Sequence, residues 1–306
     1  MIVFPLDWTE VGRPVQVRDI ELGVMKVLSE IGCNCLSFSG GLDSSLMLYF
    51  MLQRHMHVRT FTIGLSEDHP DIKYAQLVVD SFSNVAHNYY IPTREEVEAA
   101  EQPGDLEGDA AVRLFYKFVK KYTTKIIACD GIDEFMAGYY AHQETLSETT
   151  YFNFIRRLQG VQLAPLNRNS GEVDVYLPYL DGRLISLYSQ IPLSEKVDAH
   201  IRKKFMVRMA KGKLPDRVIT RRKYGFCDAL KPKKGGEIGG VRNPLFDGND
   251  MWDWNEGIAQ DLLSRFSRKE IEEVRASPQM VCNCFRCTRE YMDKMKSKEE
   301  CHASGT

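Results

Sequence analysis

The chain has 306 residues, of which 43% are hydrophobic and 27% are charged. This composition allows a substantial buried core and excludes disordered, collagen-like and coiled-coil proteins. Forty basic and 42 acidic side chains leave a net charge of -2, which gives no overall attraction to nucleic acid or anionic lipid. The sequence has neither the ~20-residue apolar run of a membrane span nor a signal-peptide pattern. We therefore expect a cytoplasmic protein without membrane or nucleic-acid partners.

The first half of the chain is predicted to alternate between helices and strands. Helices are expected over residues 20–31, 46–56, 71–82 and 110–121, and strands over 33–38, 58–63, 86–91 and 125–129. Such alternation is typical of an α/β fold, a parallel sheet with helices on both faces. Two of these strands run into loops of small and acidic residues. In a parallel sheet such loops gather at the carboxyl ends of the strands, so we expect both to face one cleft.

The strand signal fades after residue 145, and the rest of the chain is predicted to be mostly helical. Helices are expected there over residues 151–162, 182–190, 199–211 and 261–275. We therefore predict an α/β core over 1–145, a helical part over 146–275 and a cysteine-rich tail over 276–306, which together form one compact domain.

A loop rich in glycine and serine follows the first predicted strand of the core. It reads Ser39-Gly-Gly-Leu-Asp43-Ser44-Ser45. Glycines after a strand let backbone N–H groups approach an anion, and the next helix adds the positive end of its dipole. No lysine follows the glycines as it does in a Walker loop. An aspartate beside phosphates is instead typical of a site that binds Mg²⁺.

This loop resembles the pyrophosphate loop of the N-type ATP pyrophosphatases, and further segments narrow the resemblance to asparagine synthetase. They occur in the family's order, and the likeness covers roughly residues 20 to 230. The segment Asp130-Gly-Ile-Asp133-Glu134-Phe-Met-Ala-Gly138-Tyr139 is similar to the family signature Gly-Glu-Gly-x-Asp-Glu-Leu-Phe-Gly-Gly-Tyr. The remaining segments are Leu177-Pro-Tyr-Leu-Asp181, Leu214-Pro-Asp-Arg-Val218 and Arg221-Arg-Lys223-Tyr-Gly-Phe226.

The resemblance implies an adenine nucleotide alpha hydrolase-like fold and an ATP- and Mg²⁺-dependent ligase. Such an enzyme adenylates a carboxylate, transfers ammonia or an amine to it, and releases AMP and pyrophosphate. Asp43 and Asp133 would bind Mg²⁺, and Lys223 and Lys203 would stabilise the leaving pyrophosphate. The contacts to ATP would come from Phe38, Ser39, Gly40, Gly41, Asp43, Ser44, Ile63, Gly64, Ala128 and Cys129.

Asp130 takes the position of a family glutamate that is proposed to accept a proton from the attacking amine. The alternative is that Asp130 caps the helix that follows. Where the family carries a threonine and an arginine for aspartate, this chain reads Asp105-Leu-Glu107-Gly-Asp109. Either this segment is misaligned, or the acid is something other than aspartate.

Fewer than 40 residues precede the pyrophosphate loop, and residue 2 is Ile2. We therefore expect no glutaminase domain in this chain. The nitrogen would come from free ammonium, another amine or a separate glutaminase. Alternative functions are a β-lactam-type cyclisation, a 7-cyano-7-deazaguanine-type nucleobase modification, or a non-catalytic nucleotide-binding subunit.

Three cysteines near the C-terminus, Cys282, Cys284 and Cys287, have a spacing that allows them to bind one soft metal. They resemble the zinc cysteines of the 7-cyano-7-deazaguanine synthases, and the fourth ligand would be Cys301, His302 or Cys227. Structural Zn²⁺, an iron–sulfur cluster and free buried thiols all remain open.

Overall fold

The computed structural model describes residues 2, 3, 12–55, 57–106, 108–221, 230, 265–267, 269, 270, 273, 274 and 292. Its centre is a parallel sheet with the strand order β1-β6-β5-β2-β3-β4. The strands are β1 (Ile2–Val3), β2 (Cys35–Ser37), β3 (Val58–Ile63), β4 (Val85–Tyr90), β5 (Lys125–Ile127) and β6 (Asp174–Tyr176).

Helices surround this sheet, which confirms the predicted α/β fold class. In the first half of the chain they are α1 (Val17–Ile31), α2 (Leu42–Leu52), α3 (Pro70–Val79), α4 (Arg94–Ala100), α5 (Asp109–Val119), α6 (Ile132–Phe135) and α7 (Tyr140–Glu144). They continue with α8 (Glu148–Leu158), α9 (Ala164–Asn169), α10 (Gly182–Ser189), α11 (Leu193–Lys196), α12 (Lys204–Ala210) and α13 (Asp216–Ile219). A π-helical turn (Gln159–Leu163) joins α8 to α9, and a 3₁₀ turn (Pro178–Leu180) precedes α10.

The core of the molecule lies around the short central strands. Leu36 of β2, Phe61 of β3, Ile127 of β5 and Val175 of β6 are each fully buried. Strands covered on both faces carry nearly continuous apolar residues, which is why their sequences do not alternate. Among the helices that the structure describes, none has the length and apolar character required to cross a membrane.

Two helices begin four or five residues away from the predicted start, whereas the other predicted helices within the described residues begin within three residues of it. α2 starts at Leu42 rather than at residue 46, because Gly41 adopts an extended conformation (φ -79°, ψ 172°) and serves as its N-cap. Asp43 and Ser44 therefore lie in its first turn. α12 starts at Lys204 rather than at residue 199, because the left-handed conformation of Lys203 (φ 52°) interrupts the helix that the apolar period predicted.

One strand lies where only helices were expected. β6 comes from beyond residue 145 and pairs with both β5 and β1. It spans three residues, which is too short for an alternating pattern to distinguish it from a loop. The parallel sheet is therefore completed by a segment of the predicted helical part.

The order of the strands locates a crevice. From β2 the chain proceeds to β3 and β4 on one side, and then returns to β5 and β6 on the other side of β2. The connections that leave β2 and β5 therefore diverge. In open parallel sheets, ligands bind at the carboxyl ends of two such neighbouring strands.

Candidate active site

The loop that leaves β2 is held together by its own hydroxyl groups. The Gly41 N–H donates to Ser39 Oγ at 3.3 Å, and Ser44 Oγ donates to the Gly41 carbonyl at 3.3 Å. Gly40 has φ 67°, and a Cβ atom there would overlap the backbone of Tyr74 and Ala75 in α3. Only glycine lets the loop pack this closely while it presents the N-terminus of α2 to the crevice.

The ammonium group of Lys203 lies between the carboxylates of Asp43 and Asp133. Its Nζ is 2.6 Å from Asp133 Oδ1 and forms an ion pair with Asp43 Oδ2. Asp43 follows β2 and Asp133 follows β5, so the two strand-end loops that the sequence predicted to share a cleft contribute one carboxylate each. Three charges from distant parts of the chain thus meet at the crevice.

Lys203 is only 4% exposed. Burial by itself would lower the pKa of Lys203, but the charges of Asp133 and Asp43 outweigh burial and hold the pKa above its ordinary value. The side chain is therefore an ammonium at neutral pH.

Gly138 forms one wall of this ion-pair cluster. A Cβ atom at Gly138 would overlap Asp133 Oδ1 and Lys203 Cε. The Gly138 N–H also donates to the Asp133 carbonyl at 2.7 Å. The glycine of the 130–139 motif is therefore required by the close approach of the backbone to the charged groups.

The loop after β5 carries Ala128, Cys129 and Asp130. The Ala128 N–H donates to the Tyr176 carbonyl of β6 at 2.9 Å, which fixes the start of the loop. Asp130 is half-buried, and Gly131 is the N-cap residue of α6. The two roles considered for Asp130, proton acceptor and helix cap, both stay predictions. Burial raises the pKa of the Cys129 thiol, and the charges of Asp43 and Asp130 raise it further. Cys129 is therefore an uncharged thiol in this loop.

Phe38, Ile63 and Gly64, which are predicted to contact ATP, lie where β2 and β3 end. Phe38 is buried, its N–H donates to the Phe61 carbonyl at 2.8 Å, and its own carbonyl accepts a hydrogen bond from the Thr62 hydroxyl. Ile63 ends β3, and the Gly64 N–H donates to the carbonyl of Tyr90 at 3.1 Å. Because β2 and β3 are parallel neighbours, these groups lie at the same edge of the sheet as Asp43.

Arg221 is a site residue that the sequence pattern did not single out. Its guanidinium donates to the Ser39 carbonyl and forms an ion pair with Asp71, and it lies 4.5 Å from the centre of the Tyr74 ring. Arg221 thus fastens the pyrophosphate-loop segment to the start of α3. Arg221 begins the family-like segment that runs to Phe226, in which only Lys223 was given a role.

Tyr179 is a second residue whose role only the structure shows. It is fully buried in the Leu177–Asp181 segment, and its hydroxyl donates to the backbone carbonyl of Asp43 at 3.1 Å. Two motifs that resemble the same family therefore contact each other directly. The signal for Tyr179 was present in the motif, but the sequence does not reveal its partner.

The acidic 105–109 segment has partners of its own. Asp105 forms an ion pair with Arg113, which also donates to Asn169 Oδ1 at 2.6 Å. Asp109 Oδ2 accepts a hydrogen bond from the Leu106 N–H at 3.1 Å. Arg113 therefore compensates the charge of Asp105 within the folded chain.

Several predicted residues lie outside the part of the chain that the structure describes. They are Lys223, the proposed metal-binding cysteines Cys282, Cys284 and Cys287, and the proposed fourth ligands Cys227, Cys301 and His302. Within the described residues there is no group of three or more histidine, cysteine, aspartate or glutamate side chains placed to bind a metal ion. The zinc site therefore stays a prediction.

Comparison with known proteins relates this chain to one family. The family model described as asparagine synthase matches residues 33–174 and 168–273. The glutamine-hydrolyzing asparagine synthetase of Gallus gallus is 25% identical over 230 residues, which are 67% of this chain and 40% of that protein. A Methanocaldococcus jannaschii protein assigned to the same enzyme class is 30% identical over 130 residues, 39% of this chain and 24% of that protein.

Among solved structures, NMN synthetase from Francisella tularensis has a TM-score of 0.42 and 14% identity, and the match covers 84% of this chain and 91% of that one. The chain spans less than half the length of the curated relatives it matches. The family model nevertheless covers well over half of this chain. The chain belongs to the asparagine synthase family.

Proposed function

We propose that the chain is an ATP-dependent ligase of the asparagine synthetase type, which adenylates a carboxylate and transfers the acyl group to ammonia or an amine. The observation that carries the proposal is the meeting of Asp43, Asp133 and Lys203 beside the Gly40–Gly41 loop. This chemistry needs groups that bind phosphates and offset the charge of a leaving pyrophosphate. The family and the names of the relatives support the same class of reaction.

The carboxylates of Asp43 and Asp133 fit a Mg²⁺ ion, because both already converge on one cation, the Lys203 ammonium. One or two carboxylates together with substrate phosphates are the usual environment of Mg²⁺ in nucleotide sites. When bound, the ion would supply charge neutralisation on the phosphates of ATP.

The chain's own residues would act in two chemical steps. In the first, a carboxylate oxygen of the acid attacks the α-phosphorus of ATP, and the bond to pyrophosphate breaks. The backbone N–H groups of the Gly40–Gly41 loop and the N-terminus of α2 would hold the phosphates. Lys203 and, by resemblance, Lys223 would stabilise the negative charge that develops on pyrophosphate.

In the second step, the nitrogen attacks the acyl carbon and AMP leaves with the electrons of the C–O bond. Asp130 would accept the proton that the nitrogen loses. It lies in the loop after β5, three residues before Asp133. The nitrogen donor would be free ammonium, an amine, or ammonia from a separate glutaminase.

The test is pyrophosphate and AMP release by the purified chain with ATP, Mg²⁺ and a panel of carboxylic acids that includes aspartate. Each acid is assayed with and without ammonium and glutamine, and products are identified by mass. We expect release that depends on one acid, and a product that is its amide. A cyclised acid or a modified nucleobase would move the chain to another branch. Absence of acid-dependent release across the panel would refute the adenylation proposal.

A further inference from the structure

Arg202, the residue directly before Lys203 of the Asp43–Lys203–Asp133 cluster, is buried. It is 1% exposed. Its Nη1 donates to the Gly138 carbonyl at 2.6 Å, and its guanidinium carbon lies 3.6 Å from the centre of the Tyr140 ring. A guanidinium is costly to bury, and an apolar side chain would fill the same space at a lower cost. The position of Arg202 therefore requires a reason other than core packing.

Two strained backbone positions adjoin this hydrogen bond. Within the described part of the chain, the non-glycine residues with positive φ are Ala137 at 53° and Lys203 at 52°. Ala137 precedes Gly138, the acceptor residue, and Lys203 follows Arg202, the donor residue. Left-handed conformations of such residues are unfavourable and persist only where the surrounding structure holds them. Arg202 joins the two strained segments.

The same contact bears on the charged groups. Gly138 touches both Asp133 and Lys203, because a Cβ atom there would overlap side-chain atoms of each. The left-handed turn at Lys203 directs its ammonium towards Asp43 and Asp133. Without the hydrogen bond from Arg202, both strained segments could relax, and the ammonium would leave its place between the carboxylates.

We propose that Arg202 is a positioning residue, which uses its hydrogen bond to the Gly138 carbonyl to hold Lys203 left-handed and its ammonium between Asp43 and Asp133. The inference rests on the proposed function only in that the cluster would bind ATP and stabilise pyrophosphate. Arg202 sets the position of the Lys203 side chain, and Arg202 itself contacts no reacting atom.

The first test measures the position of Lys203 without any reaction. Purified protein without nucleotide is treated briefly with an amine-acylating reagent, and the modification of Lys203 is compared by peptide mass spectrometry with that of its neighbour Lys204. Arg202→Met removes the hydrogen bond and keeps apolar volume. We expect the Lys203 to Lys204 ratio to rise about 10-fold in this variant.

Arg208→Met is the matched control. Arg208 lies in α12, its guanidinium is 4.9 Å from the Phe205 ring, and it pairs with Glu195 at 2.7 Å, but its side chain is 44% exposed and outside the cluster. The control removes an arginine from an aromatic ring without touching Gly138. It should leave the ratio unchanged. An unchanged ratio in Arg202→Met, or an equal rise in the control, would overturn the inference.

The second test separates positioning from folding. In the pyrophosphate assay, Arg202→Met should lower kcat about 100-fold with less than a 3-fold change in KM for ATP, since a small displacement of a charged group has effects of this size. Adding Ala137→Gly, which makes the left-handed conformation inexpensive at one of the two positions, should restore kcat at least 5-fold. A merely structural role for Arg202 would give no such rescue, and its absence would refute the proposal.

Arg202→Lys covers the case in which Arg202→Met fails to fold. Lysine keeps the charge but cannot both lie flat on Tyr140 and donate from a planar group. It should raise the Lys203 labelling ratio at least 3-fold, and wild-type labelling in this variant would overturn the inference. If the wild-type chain releases no pyrophosphate with any acid, the proposed function fails while the labelling result still decides the role of Arg202.

Discussion

The packing of Gly40 against α3 allows a prediction whose size can be worked out from the structure. Gly40→Ala introduces a Cβ at a residue with φ 67°, where it would overlap the backbone atoms of Tyr74 and Ala75. The left-handed conformation costs a non-glycine residue about 1–2 kcal/mol. Overpacking against a backbone that cannot rotate away adds about 1–3 kcal/mol. We expect Gly40→Ala to lower the free energy of unfolding by about 2–5 kcal/mol.

Gly32→Ala separates the two contributions. Gly32 ends α1 with φ 62°, almost the same as Gly40, but a Cβ there would meet no atom within 4 Å. This variant should therefore show only the conformational cost of about 1–2 kcal/mol. The difference between the two variants measures the overlap with α3.

Urea denaturation of the wild type and both variants, followed by tryptophan fluorescence and circular dichroism, gives the free energies. Pyrophosphate release should fall in Gly40→Ala, because the loop must move away from α3, and should be unchanged in Gly32→Ala. Equal destabilisation by the two substitutions would show that the Gly40 loop does not pack as described. Full activity in Gly40→Ala would show that this loop does not bind the phosphates.

Three further predictions concern buried charges. Lys203→Met should lower pyrophosphate release at least about 100-fold in the release assay, because it removes the charge between the two carboxylates. Asp181→Asn should cost about 2 kcal/mol in urea denaturation, since Asp181 is fully buried on Arg183, whereas Glu30→Gln, at the exposed side of the same arginine, should cost less than about 1 kcal/mol. Burial lowers the pKa of Lys196 to about 7, so between pH 7 and about 10.4 the unfolded chain binds more protons than the folded chain. The free energy of unfolding should therefore rise by about 3 kcal/mol from pH 7 to 9.5. Lys196→Met should abolish that rise.

Much of the core fold could be predicted from local patterns. The strand over 58–63 and the helices on either side of it follow from β-rich composition and helical period, and the structure has β3 at those bounds. The short strand β6 was not predictable, because three residues are too few to show a periodic pattern. Its pairing partner β5 also lies far away in the sequence. The carboxylates of the site were predicted from the family resemblance and from loops that follow strands, and topology then brings Asp43 and Asp133 to one crevice.

The partners of these residues were less predictable than the residues themselves. The Leu177–Asp181 motif is visible in the sequence, yet the contact between Tyr179 and the Asp43 carbonyl joins residues 136 positions apart. Arg221 is similarly separated from Ser39 by 182 positions. A motif identifies residue types that a chemistry needs, whereas the long-range hydrogen bonds that hold them depend on the complete fold.

The sequence Arg202-Lys203-Lys204 shows most clearly what a pattern cannot resolve. The predicted helix over 199–211 would treat these three basic residues as neighbours on one continuous helix. In the structure, Arg202 is buried on Gly138, Lys203 is buried between two carboxylates, and Lys204 lies nearer the surface, 3.0 Å from Asp198 Oδ2. Because Lys203 has a left-handed φ, α12 begins only after that residue, and the three side chains do not share one helix. A backbone conformation that is unfavourable by itself therefore places three chemically similar side chains in three different environments. Local propensity favours a continuous helix here, so it does not predict this conformation.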